Sequence, residues 1–399
     1  MRHYPNFLRT CTIVMLCIGA VSCTKDNVAL EDEDTPILTQ RNIKNLIPSR
    51  VRDRDSWAND IYSIMDTLQV EKNKTNVCSI LAIVDQESNF VANPQVPNLG
   101  EKAVKEVNHR LEGKFADKLG DRLGEPVAKY FLNVLKTQPS AENNYLAQMR
   151  KVKTEKDLDI LYREIFNYMT KHYHVSAITG AAKLLGQDIG ERMNPITTLG
   201  SMQVLINYAQ DHQRSRMNIY ELRDDLYTQY GGLYYGIHRL MLYQANYSKP
   251  LYRFADYNSG IYSSRNASFQ QALTKLTKMT LSLDGDLLLY DKNENVLSDR
   301  SQSELAIQHL FTEHAIQLSP KQIRSDLKQE KTVDFEKTQT YKEVQILYKQ
   351  KFGRALVYAI MPEVVISGPK LSKNYNTNWY ASKVNNRYLS CMQRTRSGR

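Results

Sequence analysis

The sequence predicts a mainly α-helical protein, and three observations carry that prediction. Val77, Ile80, Leu81 and Val84 keep the i, i+3, i+4, i+7 spacing of one buried helical face, with Thr75 or Asn76 as N-cap. The segments 103–111, 125–135 and 156–172 keep helical periodicity and are punctuated by Gly113, Gly120 and Pro139. Beyond Leu273 one short strand candidate, Leu283 to Tyr290, precedes helices expected through His309, Arg324 and Tyr348 and an extended apolar stretch from Leu356 to Ile366.

In chain order, Arg2 and Arg9 precede the apolar run Thr12 to Val21, which is too short to span a bilayer and has the length of a signal-peptide core. Ala20-Val-Ser-Cys23 resembles a bacterial lipobox. It implies cleavage after residue 22, a lipid on the Cys23 sulfur and a mature protein anchored to a membrane without spanning it; an ordinary cleaved secretory signal is the alternative. Thr24, where an aspartate would favour inner-membrane retention, points to the outer membrane, facing the periplasm. Removing residues 1–22 takes away two arginines and no acid, so the formal charge falls from +10 to +8. For an exported chain, that basicity suits an anionic wall polymer or membrane surface better than nucleic acid.

Of five cysteines, Cys11 and Cys17 leave with the signal and Cys23 carries lipid, leaving Cys78 and Cys391. In an oxidising compartment these have one intramolecular pairing, expected as a disulfide that ties the C-terminal segment to the helix of Cys78; two separately buried thiols are the alternative. Residues 23–46 are polar, include Glu31-Asp-Glu-Asp34 and read as a lipidated tether, so folding is expected from Ile47 onward, over 47–399. A helix capped within Arg52-Asp-Arg-Asp-Ser-Trp57 runs to Leu68 and packs through Trp57, Ile61, Ile64 and Met65 or Leu68.

Glu87 continues the apolar stripe of the next helix, three residues after Val84 and seven after Ile80, whereas Asp85 faces elsewhere. A carboxyl leaving a helix on its apolar side is pushed toward the neutral form, and raising it from about 4.3 to ~6–7 costs roughly 3 kcal/mol. Such a group can donate a proton near neutral pH, as a general acid at a glycosidic bond must. The block from about 91 to 195 is helical and offers no chemistry. His172-x-His174 diverges by about 200° on a helix and is read as structural.

Asn194-Pro-Ile-Thr-Thr-Leu-Gly200 reads as a loop with a tight turn at Gly200, and Met202-Gln203 is expected to open a helix through Leu205 and Tyr208. Residues 220–262 hold ten of the 25 tyrosines, amphipathic rings suited to lining sugar grooves. Gly231-Gly-Leu-Tyr-Tyr-Gly236 leads into a helix through Tyr243, and a turn then delivers Phe254-Ala-Asp-Tyr257-Asn258-Ser-Gly260. Trp379 and Tyr380 are assigned to the core, with a further aromatic near the groove as the alternative. No phosphate-binding glycine loop, zinc spacing or serine nucleophile elbow occurs, and neither metal nor cofactor is expected.

Glu87-Ser88, Gly200-Ser-Met-Gln203 and Tyr257-Asn258-Ser-Gly260, in this order, resemble the Glu-Ser, Gly-Leu-Met-Gln and Ala-Tyr-Asn motifs of lytic transglycosylases and goose-type lysozymes, with Ser201 in place of leucine. The mature chain also resembles an uncharacterised family of Gram-negative lipoproteins, domain of unknown function 1615. That match rests on Asp53-Arg-Asp-Ser-Trp-Ala58, Asp85-Gln-Glu-Ser88, Gly231 to Gly236, Pro250 to Asn258, Ser264 to Gln270 and Leu283 to Leu287. The motif resemblance implies a lysozyme-like core. Because Gly200 stands 113 residues after Glu87, it also implies a helical insertion over about 91–195, besides a C-terminal extension over about 275–399.

The activity so implied is cleavage of the bond between N-acetylmuramic acid and N-acetylglucosamine in peptidoglycan, with Glu87 as acid and then base. Ser88, Gly200, Met202, Gln203, Tyr257 and Asn258 would bind and orient the sugar, with Met202 beneath it. Two alternatives are an inverting muramidase, with Asp256 as second carboxylate, and a catalytically inactive peptidoglycan-binding or scaffold lipoprotein.

Overall fold

A computed structural model describes residues 37–113, 121–172, 194, 196–290, 295–366 and 375–394. The expected signal segment, Cys23, His174 and Pro195 lie outside the described residues. Among those described, sixteen α-helices and two two-stranded hairpins confirm the mainly helical class, and no helix is long and apolar enough to cross a membrane.

The first folded residues come earlier than the composition suggested. Thr39 accepts from the Asn42 backbone N–H while the Asn42 side chain accepts from that of Thr39, a capping box that starts a helix over Gln40–Leu46. Leu38, Ile43 and Leu46 are buried, so the tether reading fails for residues 38–46. Seven helical residues are too few to display the apolar stripe that would have revealed them.

The next two helices follow expectation more closely. Asp53 caps Arg54–Thr67, whose Trp57, Ile61, Ile64 and Met65 are buried. The Glu87 helix spans Lys74–Glu87 and is capped by Asn73, which accepts from Asn76 N–H at 2.8 Å, rather than by Thr75 or Asn76. Its burial is not confined to a stripe, since every residue from Val77 to Val84 is buried. Such an enclosed helix stabilises the core by about 1.5–3 kcal/mol for each large apolar side chain. It ends at Glu87 because Asn89 and Phe90 adopt left-handed backbone conformations, with φ of 52° and 60°. Phe90 then packs edge-on against Trp57 at 5.4 Å.

Around this helix lie the C-terminal helix Thr377–Gln393 and helix Gln229–Met241; Pro250–Ser259 packs on the C-terminal helix. In the C-terminal helix, Thr377, Tyr380, Ala381, Val384, Tyr388 and Cys391 form the inward stripe. Cys78 and Cys391 are joined by a disulfide with Cα atoms 5.5 Å apart, closing a sequence separation of 313.

Two hydrophobic cores share the chain. The first gathers residues from 38 to 257 and takes in Tyr380, Val384, Tyr388 and Cys391. The segment read as an insertion contributes to it through Phe131, Met149, Leu161 and Ile165. The second runs from Phe269 to Tyr348. Leu287 and Leu288 belong to it, but residues 283–290 form no strand. The backbone N–H groups of Leu287 and Leu288 donate to the buried Glu330 carboxylate instead of to a neighbouring chain, and Tyr290 donates to it as well. Between residues 356 and 366 only Val365–Ile366 pairs, with Tyr375–Asn376.

Candidate functional site

Glu87 occupies the last helical position and is half-buried, following the buried and mostly apolar run Val77 to Val84. The phenol of Tyr380 donates to its Oε1. Tyr380 is itself buried, and burial followed by the charge of Glu87 holds its phenol well above the ordinary range. It therefore stays protonated and remains a donor to the carboxylate. Assigning Tyr380 merely to the core missed its polar end, and Trp379, also assigned there, is 36% exposed and stacks on Tyr375 at 4.0 Å.

The Gly200 segment is a β-hairpin, not the start of a helix at Met202. Thr198 pairs with Leu205 and Leu199 with Val204, and the helix begins only at Ile206. Two constraints impose this turn. Gly200 has φ +79° and sits where a Cβ would collide with the Leu226 carbonyl, and Gln203 is also left-handed, at φ 50°. Met202 is fully buried against Gly236, whose missing side chain leaves room for the thioether. Packing thus takes Met202 out of reach of a sugar, contrary to its expected place beneath one. Its carbonyl accepts from the Tyr257 phenol at 2.7 Å.

Tyr257 lies on helix Pro250–Ser259, opened by Pro250 at its first position. The motif rides on a regular helix, where the sequence suggested delivery by a turn. Burial raises the Tyr257 phenol, the Arg239 cation opposes that rise, and the charges of Glu87 and Tyr208 add to it. Tyr257 thus bonds to the Met202 carbonyl and feels the charge of Glu87.

The remaining expected sugar contacts are not all brought there. Ser88 is buried and its hydroxyl donates back to the Val84 carbonyl, capping the helix. The Gln203 amide donates to Glu155 Oε2 at 3.2 Å and to the Gly200 carbonyl at 3.3 Å, while its oxygen accepts from Thr198 at 3.0 Å. Asn258 is half-buried, and its side-chain amide makes no hydrogen bond to the described residues. Ser201, in the leucine position, is buried with an unpartnered hydroxyl.

Glu155 begins helix Glu155–His172, so the segment read as an insertion braces the hairpin. One turn on, the buried Asp159 accepts from Asn194 at 2.6 Å and from Arg223 at 2.7 Å, and it pairs with Arg163. A surface cleft of about 700 Å³ on this side, lined by Lys156, Arg163, Glu221 and Asp225, contains none of the candidate site residues.

Asp256, the expected second carboxylate, is fully buried. It accepts from the hydroxyls of Tyr243 (3.2 Å), Tyr247 and Ser263 (3.1 Å) and from the backbone N–H groups of Tyr262 (3.1 Å) and Ser264 (2.8 Å). Burial pushes its carboxyl up and these donors oppose the shift. A carboxylate so saturated organises the entry to the next helix and cannot position a water. Asp85 pairs with Arg50 and with Arg387, facing away as expected. His172 is exposed and stacks on Tyr168, and no group of three metal-ligating side chains occurs among the described residues.

The chain belongs to DUF1615, described as "Protein of unknown function (DUF1615)", whose model matches residues 50–394. It is 33% identical over 354 residues, 88% of each chain, to the "Uncharacterized protein YaiW" of Escherichia coli (strain K12). No solved structure matches.

Proposed function

We propose that this protein is a peptidoglycan lytic transglycosylase, built on a lysozyme-like first core and anchored to the outer membrane through lipid on Cys23. What carries the reading is the convergence of the helix-terminal Glu87 with Tyr257 and the Met202 carbonyl, three motifs far apart in sequence. Protonated Glu87 gives its proton to the oxygen joining N-acetylmuramic acid to N-acetylglucosamine, and that bond breaks at C1 of the muramoyl sugar. The carboxylate left behind takes the proton from the same sugar's 6-hydroxyl as that oxygen bonds to C1, closing an anhydro ring. The tethered hydroxyl removes the need for a water and for a second carboxylate. The engagement of Asp256 by five donors favours this over an inverting hydrolase.

In this reading Tyr380 orients the Glu87 carboxyl, Asn258 faces the sugar, and the buried Tyr257, its phenol held by the Met202 carbonyl, braces the site. One observation favours an inactive wall-binding protein: Met202 and Gln203, two expected sugar contacts, are directed into the fold. Glu87→Gln separates the readings, because it keeps shape and hydrogen bonding but transfers no proton. Release of soluble fragments from purified peptidoglycan should fall by at least ~10² while binding to the polymer persists. Equal release by both proteins would remove Glu87 from the mechanism.

A further inference from the structure

Three arginines in the described structure have 8% or less of their surface exposed, and two of them are conventionally paired. Arg223 donates to Asp159 and to the Ile196 carbonyl. Arg265 donates to Glu336, Asn266 and the carbonyls of Thr332 and Glu330. Arg239 differs. At 8% exposure it has one hydrogen bond, from Nη2 to the Tyr257 carbonyl at 3.4 Å, and no carboxylate within ion-pair distance among the described residues. Its Cζ lies 5.2 Å from the centroid of the Tyr208 ring and 5.7 Å from that of Tyr257.

A guanidinium has five N–H donors, and one that is 8% exposed with a single long bond to a carbonyl keeps donors in reach of an anion that enters from solvent. The ring faces supply cation–π attraction but accept none of the in-plane N–H groups. Nor is the position remote from the chemistry. Tyr257 and Tyr380 both feel the charges of Glu87 and Arg239, which places the cation within the same group of side chains as the acid. The neighbouring His238 accepts or donates to the Tyr208 hydroxyl through Nδ1 at 2.7 Å, and burial with the nearby His212 lowers it to about 4. At neutral pH it adds no second positive charge.

We propose that Arg239 is an anion-binding group of this site and takes the lactyl carboxylate of an N-acetylmuramoyl residue that has lost its peptide. The identity of the anion rests on the glycan-cleaving reading. In such a polymer the lactyl group on the muramoyl ring is an amide where a stem peptide is attached and a carboxylate where the peptide has been removed. It is the one anion held within a single sugar ring of the scissile bond, and a planar guanidinium can receive it through two parallel hydrogen bonds. The substrate class is therefore peptide-stripped glycan, and an amide-cleaving reaction must precede this one.

The test uses the full-length protein in detergent with Glu87→Gln, so that binding is read without turnover. Its affinity for peptide-stripped glycan strands is compared with that for the same strands after conversion of the lactyl carboxylates to methylamides. Loss of one charge-assisted contact should weaken binding by about tenfold or more. Adding Arg239→Gln should abolish the difference by weakening only the carboxylate form, and Arg239→Lys should retain part of it. Equal binding of both forms by the Glu87→Gln protein overturns the inference while leaving the glycan reading in place. Binding of neither form overturns both. Tighter binding of peptide-bearing strands than of stripped ones also rejects the lactyl assignment. The comparison between ligands needs no Arg239 variant, so it decides the matter even if Arg239→Gln does not fold.

Discussion

Tyr380 reaches Glu87 across 293 positions of sequence, and its phenol donates a hydrogen bond to the carboxylate. Tyr380→Phe keeps the ring in the core and removes only that donor. If the hydrogen bond aligns the acid, fragment release from peptidoglycan should fall about tenfold, the value of one positioned hydrogen bond, with little change in melting temperature. Unchanged release would leave Tyr380 with a packing role alone. Glu87 itself was legible in the sequence because its spacing from Ile80 and Val84 is local. Tyr380 was not, since an aromatic at helical spacing reads as core and nothing nearby names its hydroxyl's partner. Gln203 illustrates the converse. Its residue type suits a sugar contact, but its amide is committed to Glu155 and the Gly200 carbonyl, a partnership that depends on a helix from the intervening segment.

Helices Lys74–Glu87 and Thr377–Gln393 act as one unit, packed along their lengths and joined through Cys78 and Cys391. Holding Glu87 and Tyr380 in register is the mechanical consequence, because one residue lies on each helix. In the chain-entropy description, closing a loop of 313 residues stabilises by roughly 5 kcal/mol. Replacing both cysteines with serine should therefore lower the melting temperature and reduce activity together, as scanning calorimetry beside a release assay would record. A lowered melting temperature with full activity below the transition would show that the bridge stabilises the fold without positioning the acid. The pairing was readable from cysteine arithmetic. The hairpin at 198–205 was not, because strands of two residues have no alternation to detect and Met202-Gln203 joins smoothly to a real helix at Ile206. The helix at Gln40–Leu46 was hidden by its polar composition, though Thr39 and Asn42 carry the capping signal.

At the scale of the whole molecule, the chain leaves the first core at Tyr257, builds a second from Phe269 to Tyr348, and returns with the helix of Tyr380. The C-terminal extension inferred from motif spacing is thus two things, a separate core and an element of the site. Sequence order alone could not separate them, since both are helical and amphipathic. The segment around 91–195, read as an insertion, likewise joins the first core and supplies Glu155 to the hairpin. The proposed placement at the membrane would depend on Cys23. Cys23→Ala removes the thiol that would carry lipid, so the precursor should lose stable association with the membrane fraction on cell fractionation. Undiminished association, with the signal segment removed, would argue against lipid anchoring. The central claim concerns what happens to the glycan, and mass spectrometry of the muropeptides released from purified peptidoglycan tests it most directly. Products ending in anhydro-N-acetylmuramic acid, absent with Glu87→Gln, are the predicted result; products with reducing ends, or no release while the polymer is still bound, would contradict it.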